Sequence, residues 1–479
     1  MGNLLNKIKS LPAGVKASVA FFFASVITSG IAYIVTPIYT RLLSPEEYGQ
    51  TSVFLTWVQV FGIIAMFCLH YGVFNNGMLD YKDKRDDFSF SMLILSNIIT
   101  LIFSIVIIAL YPLIKDFIDM DLSLVILMCL LFFFQPAYNF WLARQRYELK
   151  YKSTVIWVVV SAFSSPLIAV IAILIFNSHR LYARLFGAEL TLIFIYILFY
   201  IYLGYKNKFK LNTSYWKAAL LFNIPLIPHY LSTYLLGNSN KIMISHLVGD
   251  TAAAYYSVAH SVSIVATIVW SAANSSLVPF TYENCQKKNY KAISDVVMPI
   301  LTAFGAVCVL VIMMAPEVVA IMATPDYREA IYVIPPLVGG VFFQIQYYIY
   351  ANIVYYFKKP KYVMYASITT VVVNLILNYI LINTFGYIAA GYTTLICYLL
   401  QATIDYFAMK KVAKTNIYDM KYIGGLSLVL VVIALISNFL YDFIIIRYAI
   451  IVLLCVVCFI FRKKIFELLK NMKGNKNET

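Results

Sequence analysis

The sequence is poor in charged residues. Only 12% of its 479 residues are Asp, Glu, Lys or Arg, whereas 62% are hydrophobic. Soluble domains carry about 25% charged residues, so a chain of this length with half that fraction lacks the charge for a surface that faces water. The apolar stretches must therefore contact lipid, which predicts a membrane protein.

Motifs of nucleotide-driven or metal-dependent chemistry are also missing. The chain has no G-x-x-x-x-G-K-[ST] phosphate-binding loop and no H-E-x-x-H zinc motif. Six of the seven cysteines lie in apolar runs, so they predict packing rather than a metal site or a disulfide framework. We therefore predict no catalytic residue, no metal site and no organic cofactor.

The net charge of +15 is carried by short blocks of basic residues between apolar runs. Such blocks are typical of membrane topology, so we do not expect nucleic-acid binding. A helix crosses the hydrocarbon with about 20 apolar residues, and fourteen runs are suited to do so. These runs are 17–40, 51–72, 89–111, 122–143, 153–176, 183–204, 219–240, 252–274, 293–314, 331–356, 363–382, 386–408, 422–440 and 443–461.

The distribution of Lys and Arg orients these runs. If the N-terminus is cytoplasmic, 30 of the 37 basic residues fall on the cytoplasmic side and 7 on the other. This asymmetry fits the positive-inside rule, and removing any one span would invert every later loop. The sequence therefore predicts a multi-pass protein with both termini in the cytoplasm.

The spans form two groups of six and a final pair. We place the first lobe at residues 1–210, the second at 211–414, and two extra helices with a basic cytoplasmic tail at 415–479. Because six is an even number, both groups enter the membrane in the same sense, as in one class of transporter repeat. An offset of 205 residues brings the end of span 1 onto the end of span 7, with few identities.

Three segments resemble a known family. The segment Pro37–Gly49 resembles the first-span signature of polysaccharide flippases, which translocate O-antigen and capsule repeat units. These proteins belong to the multidrug/oligosaccharidyl-lipid/polysaccharide exporter superfamily. The segments Trp141–Tyr147 and Gly237–Ala259 are also similar to the family, although Asn240–Lys241 departs from it where an acidic residue is expected before the basic one.

The resemblance implies an all-α membrane protein with two six-helix lobes around a central cavity. It also implies export of undecaprenyl-pyrophosphate-linked oligosaccharide from the cytoplasmic to the outer leaflet of a bacterial cell membrane. Alternating access driven by an H⁺ or Na⁺ gradient would supply the energy. Membrane lipids and polysaccharide-assembly proteins are the expected partners.

Four basic residues are candidates for binding the pyrophosphate. Arg41 and Lys241 lie near the predicted outer ends of spans 1 and 7, whereas Arg144 and Arg146 lie at the predicted inner end of span 4. A cation in each place is able to offset phosphate charge. The alternatives are an arginine that anchors in lipid headgroups at position 41 and ordinary cytoplasmic basic residues at 144 and 146.

Four titratable residues inside the spans are candidates for carrying the coupling ion. His229 follows two prolines in span 7, and His260 lies in span 8. Glu189 in span 6 and Asp405 in span 12 are the acidic residues clearly within spans. Ionisable groups in the membrane are typical of ion paths, although a polar side chain satisfied between helices is the simpler alternative.

Two other functions fit parts of the sequence. A drug/cation antiporter of the same superfamily would share the architecture but would need an acidic cavity. An integral-membrane polysaccharide polymerase would need a catalytic loop at the membrane surface, and no long outer loop is predicted. We therefore expect a transporter and not an enzyme.

Overall fold

The protein is helical throughout the part that the structure describes. A computed structural model describes residues 13–148 and 150–456, and the predicted basic tail lies outside these residues. The α-helices are α1 (Ala13–Leu42), α2 (Pro45–Ala65), α3 (Gly72–Asp80), α4 (Arg85–Ile118), α5 (Leu122–Tyr147), α6 (Tyr151–Ile175), α7 (Arg180–Lys206), α8 (Trp216–Asn223), α9 (Ile227–Leu247), α10 (Asp250–Gln286), α11 (Tyr290–Met313), α12 (Ala315–Met322), α13 (Ile334–Tyr356), α14 (Pro360–Phe385), α15 (Ile388–Ala413), α16 (Met420–Leu440) and α17 (Ile444–Val456).

Nine segments within the described residues are long and apolar enough to cross a membrane. This confirms the prediction of an all-α membrane protein, while the count of fourteen spans stays a prediction. Helix α1 is not among the nine, and neither are the three helices α2, α10 and α15. Each of these three carries buried polar side chains, such as Thr51, Ser257 and Gln401, which lower its mean hydropathy.

The segment that follows α1 begins helix α2. Ser44 caps α2: its hydroxyl accepts from the Glu47 amide at 3.2 Å, and the Glu47 carboxylate accepts from the Ser44 amide at 2.8 Å. Pro45 occupies the first helical turn, where its missing N–H costs nothing. This reciprocal pair is a capping box, so the family-like segment fixes the turn between α1 and α2.

The predicted span 51–72 is not continuous, which corrects the sequence prediction. Helix α2 ends at Ala65 and α3 begins at Gly72. Between them Phe67 and Cys68 have φ values of 55° and 49°, a left-handed conformation that bulky residues rarely adopt. Hydropathy alone does not show this break, because the intervening residues are as apolar as the helices.

Side chains from other helices satisfy the backbone carbonyls at this break. The Thr100 hydroxyl of α4 donates to the Ala65 carbonyl at 3.0 Å, and the Asn223 amide of α8 donates to the Phe67 carbonyl at 2.9 Å. Irregular backbone at membrane depth is stable only when such groups are paired. The predicted span 219–240 is also broken here, since a 3₁₀ turn at Ile224–Leu226 separates α8 from α9.

The chain divides into two compact units, Met1–Tyr234 and Leu235–Thr479. In the first unit α6 packs against α1 and α7, and α5 packs against α4 and α7. In the second unit α15 packs against α13 and α14, and α13 also packs against α10 and α16. Our division at residue 210 stays a prediction.

Candidate transport site

Neutral amides and hydroxyls form a buried network in the second unit. The Asn240 side-chain amide donates to the Tyr256 hydroxyl at 2.6 Å and to the Thr394 hydroxyl at 2.7 Å. The Asn378 amide donates to the side-chain oxygens of Asn240, at 2.6 Å, and Asn374, at 3.0 Å. The three asparagines are fully buried. Four helices, α9, α10, α14 and α15, are therefore joined at one point by uncharged groups.

Sequence reasoning missed this network, although a signal was present. Asn374 and Asn378 are four residues apart within an apolar span, so they lie on one face of a helix. At position 240 an amide replaces the acidic residue that the family resemblance leads us to expect. An amide both donates and accepts, so Asn240 serves hydroxyl and amide partners together without introducing charge.

Lys241 and His260 lie beside the network. Lys241 follows Asn240 on α9, and both Lys241 and His260 are half-buried. The His260 ring is parallel to the Tyr256 ring, with centroids 6.1 Å apart, and it lies within electrostatic reach of the Lys241 ammonium. The structure thus brings one predicted phosphate-binding residue close to one predicted coupling residue.

Asp405 is further along α15 and has no exposed surface. Neither of its carboxylate oxygens has a hydrogen-bond partner in the described residues. His229 lies in the first unit, at the start of α9, and is half-buried, and its Nδ1 has no hydrogen-bond partner in the part of the chain that the structure describes.

Arg144 is held by two carboxylates of the first unit. Its guanidinium contacts Asp86 at 2.5 Å and Glu148 at 2.5 Å, and the residue is buried. Lys150 also contacts Glu148, at 2.6 Å. Burial would raise the pKa of Glu148, but the hydrogen bonds from Lys150 and Arg144 lower it overall. This arrangement gives Arg144 a structural role that its position in sequence did not suggest.

The other cations of the first unit differ in their surroundings. Arg146, two residues after Arg144, is exposed. Arg41 is also exposed, and its guanidinium donates to the Pro37 carbonyl at 2.7 Å. The buried Arg184 lies over the Tyr39 ring at 4.6 Å. Of the predicted cations in this unit, Arg41 and Arg146 are thus the accessible ones.

Glu189 has a cation within reach. It is buried on α7, five residues after Arg184, and the two side chains interact electrostatically. The described residues contain no group of three His, Cys, Asp or Glu side chains placed to hold a metal ion.

Solved transporter structures share this fold. The lipid II flippase MurJ, in an inward closed conformation, covers 94% of this chain and 100% of its own, with a TM-score of 0.67 and 16% identity. An inward-facing multidrug resistance transporter of the MATE family, from the MOP superfamily, covers 82% and 98%, with a TM-score of 0.61 and 12% identity. A MOP-superfamily transporter from Pyrococcus furiosus covers 84% of this chain and 96% of its own, with a TM-score of 0.54 and 13% identity. The chain is therefore an all-α membrane protein that shares its fold with these structures.

The sequence also matches a family. The profile described as polysaccharide biosynthesis protein matches residues 15–285, more than half of the chain, and the chain belongs to that family. Protein 1 of the Lsg locus of Haemophilus influenzae is 22% identical over 419 residues, which are 84% of this chain and 99% of that protein. The family match confirms the predicted family resemblance, and the assignment as a transporter stays a prediction.

Proposed function

We propose that the protein is a flippase for undecaprenyl-pyrophosphate-linked oligosaccharide repeat units of an O-antigen or capsule. It would move them from the cytoplasmic to the outer leaflet of a bacterial inner membrane by alternating access. The fold shared with the lipid II flippase over 94% of the chain, together with the family match, carries this proposal. An H⁺ or Na⁺ gradient would supply the energy, since the sequence has no phosphate-binding loop for ATP.

Arg41 and Lys241 supply positive charge for the pyrophosphate. Arg41 is exposed on α1, and Lys241 is half-buried on α9. In a wall of low dielectric, one cation near a phosphate contributes about 1 to 4 kcal/mol. A guanidinium also binds phosphate oxygens with two parallel hydrogen bonds, which an ammonium cannot do.

Transport in reconstituted vesicles tests the proposal. The substrate is a polyprenyl-pyrophosphate oligosaccharide that carries a fluorescent sugar, and a quencher that cannot cross the membrane reports which leaflet holds it. We expect a gradient of protons or sodium to drive translocation and ATP to have no effect. Translocation at the rate of protein-free vesicles, with any gradient imposed, would contradict the flippase assignment.

Charge variants test the role of Arg41. Arg41→Ala is expected to weaken translocation and Arg41→Glu to abolish it. Arg41→Lys should keep partial activity, because the positive charge is retained while the two parallel hydrogen bonds of the guanidinium are lost. The matched control is Lys115→Ala, which removes an exposed cation from the same unit. Wild-type transport by a normally inserted Arg41→Glu would leave Arg41 as a headgroup anchor.

Reporter fusions test the orientation. We expect fusions after Ser44 and Pro325 to be external, and fusions after Lys411 and Lys476 to be cytoplasmic. An external C-terminus would contradict the proposed topology.

The second candidate is a drug/cation antiporter, because MATE transporters share the fold with TM-scores up to 0.61. Efflux of a cationic dye from the same vesicles separates the two functions. We expect no dye efflux, because few acids lie within the spans.

A further inference from the structure

Polar side chains form a row along one face of α15. Thr394, Tyr398, Gln401 and Asp405 are spaced by four, three and four residues, which places them on the same side of the helix. The first three have partners on other helices. Thr394 joins the asparagine network, the Tyr398 hydroxyl accepts from Gln344 of α13 at 3.2 Å, and the Gln401 amide donates to Ser367 of α14 at 3.2 Å.

Asp405 is the last residue of this row, and its carboxylate has no hydrogen-bond partner among the described residues. The residue has 0% exposed surface, and neither carboxylate oxygen has a hydrogen-bond donor in the described residues. No Lys, Arg or His among these residues lies within ion-pair distance of it. An unpaired carboxylate in an apolar interior is so costly that the neutral acid is the stable form.

Gln401 offers the acceptor that a neutral acid requires. A protonated carboxyl group has one O–H donor. The Gln401 side-chain oxygen is also buried and unpartnered, while its nitrogen is held by Ser367. Gln401 and Asp405 are four residues apart, the spacing at which side chains on a helix meet. A hydrogen bond from a protonated Asp405 to the Gln401 oxygen would give each of the two side chains a partner.

Among the described residues, the helices packed against α15 supply no compensating cation. From α13 the phenols of Tyr347 and Tyr355 lie within electrostatic reach of Asp405. The titratable groups of α14 toward the same end are Lys361, Tyr362 and Tyr365, and none of them bonds to Asp405. On α15 itself, Lys410 is exposed, and the Lys411 ammonium lies over the Tyr362 ring at 5.3 Å. Loss of the proton would therefore leave one uncompensated negative charge.

We propose that Asp405 and Gln401 form a proton-carrying site, at which Asp405 is protonated in this conformation and releases its proton in another. The part of the proposal that concerns coupling rests on the proposed transport function. The part that concerns protonation does not, because it follows from the surroundings of the carboxyl group.

Infrared spectroscopy of the full-length protein tests the protonation. We expect a C=O stretch of a neutral carboxyl group at neutral pH that is absent in Asp405→Asn. Gln401→Leu should move the band to higher frequency, because the O–H loses its acceptor. Thr403→Val is the matched control, since Thr403 is exposed on the same helix and bonds only to the Leu399 carbonyl. A spectrum without such a band would overturn the proposal.

Chemical labelling gives an independent measurement. Dicyclohexylcarbodiimide reacts with protonated carboxyl groups in apolar surroundings, and mass spectrometry locates the product. We expect modification of Asp405 at neutral pH and at least a tenfold slower reaction in strong alkali. Glu317, whose carboxylate accepts from Arg447 at 2.6 and 2.7 Å, should stay unmodified in the same sample. Protection of Asp405 by sodium at constant ionic strength would indicate a cation site and overturn the proton assignment.

Transport under an imposed proton gradient tests the coupling. Asp405→Asn should lose the stimulation by the gradient, Asp405→Glu should keep part of it, and Thr403→Val should keep all of it. Full stimulation in a folded Asp405→Asn variant would overturn the coupling. If the wild-type protein moves no lipid-linked oligosaccharide, the flippase proposal fails, while the infrared and labelling results still decide the protonation.

Discussion

The two units bury their polar groups differently. In the first unit charge is buried beside opposite charge: Arg144 contacts two carboxylates, and Glu189 has Arg184 within electrostatic reach. In the second unit a buried network of neutral groups surrounds Asn240, and the buried Asp405 has no partner in the described residues. The comparison separates paired charges, which stabilise the structure, from the unpaired carboxyl group of Asp405, which is available for transport.

One ion pair of the second unit follows the pattern of the first. The buried Arg447 of α17 donates to both oxygens of Glu317 on α12. Although burial would raise the pKa of Glu317, the bonds from Arg447 lower it overall. Paired charges of this kind are expected to affect stability, whereas an unpaired ionisable group within a span is expected to affect transport. The following variants test this distinction.

The largest expected effect is that of Arg144→Met. Removal of the guanidinium leaves Glu148 with Lys150 and Asp86 with Lys206 as their remaining cations. We expect the free energy of unfolding to fall by about 3 kcal/mol, the low end for a buried pair, because Asp86 is 41% exposed. Thermal unfolding of the purified protein in detergent measures it. Arg146→Met removes an exposed cation from the same helix and should unfold like the wild type. Equal effects of the two variants would remove the contrast between the units.

Asn378→Leu breaks the neutral network of the second unit. The substitution leaves the side-chain oxygens of Asn240 and Asn374 without the donor that Asn378 provides. We therefore expect thermal unfolding to show a free energy of unfolding that is about 2 kcal/mol lower. Asn383→Leu is the control on the same helix, because Asn383 is exposed and its amide donates to the Tyr379 carbonyl one turn earlier. A network variant as stable as this control would show that the amides do not hold α9 against α14.

Glu148→Gln should change how stability depends on pH. Because the pKa of Glu148 is lowered on folding, its contribution is present above the ordinary glutamate value and is lost as pH falls through the folded value. We expect the free energy of unfolding of the variant to be about 1.5 kcal/mol lower at pH 7 and to depend less on pH below pH 4. Glu283→Gln, at an exposed i,i+4 pair, should follow the wild-type curve. If the stability of Glu148→Gln depended on pH as that of the wild type does, the pairing of Glu148 with Arg144 and Lys150 would be contradicted.

The sequence predicted the helices because hydropathy and the distribution of basic residues are properties of the chain alone. The partners of Arg144 could not be predicted, because Asp86 is 58 positions away and nothing local links them. The break after Ala65 was also missed, since the signal lies in the donors of Thr100 and Asn223 on other helices. Asp405 was found because an acid within a span is visible without a fold, whereas its lack of a partner became visible only in the structure.

The Asn223 bond to the Phe67 carbonyl also constrains biogenesis. The donor is 156 residues downstream of the acceptor. At the usual rate of translation, Phe67 therefore waits on the order of ten to thirty seconds before its partner has been synthesised. During that interval the unwound residues after Ala65 carry a backbone carbonyl that the finished protein satisfies from α8. The nascent chain must keep this segment hydrated or shielded by the insertion machinery, so substitution of Asn223 should reduce the yield of inserted protein more than it reduces transport by the molecules that mature.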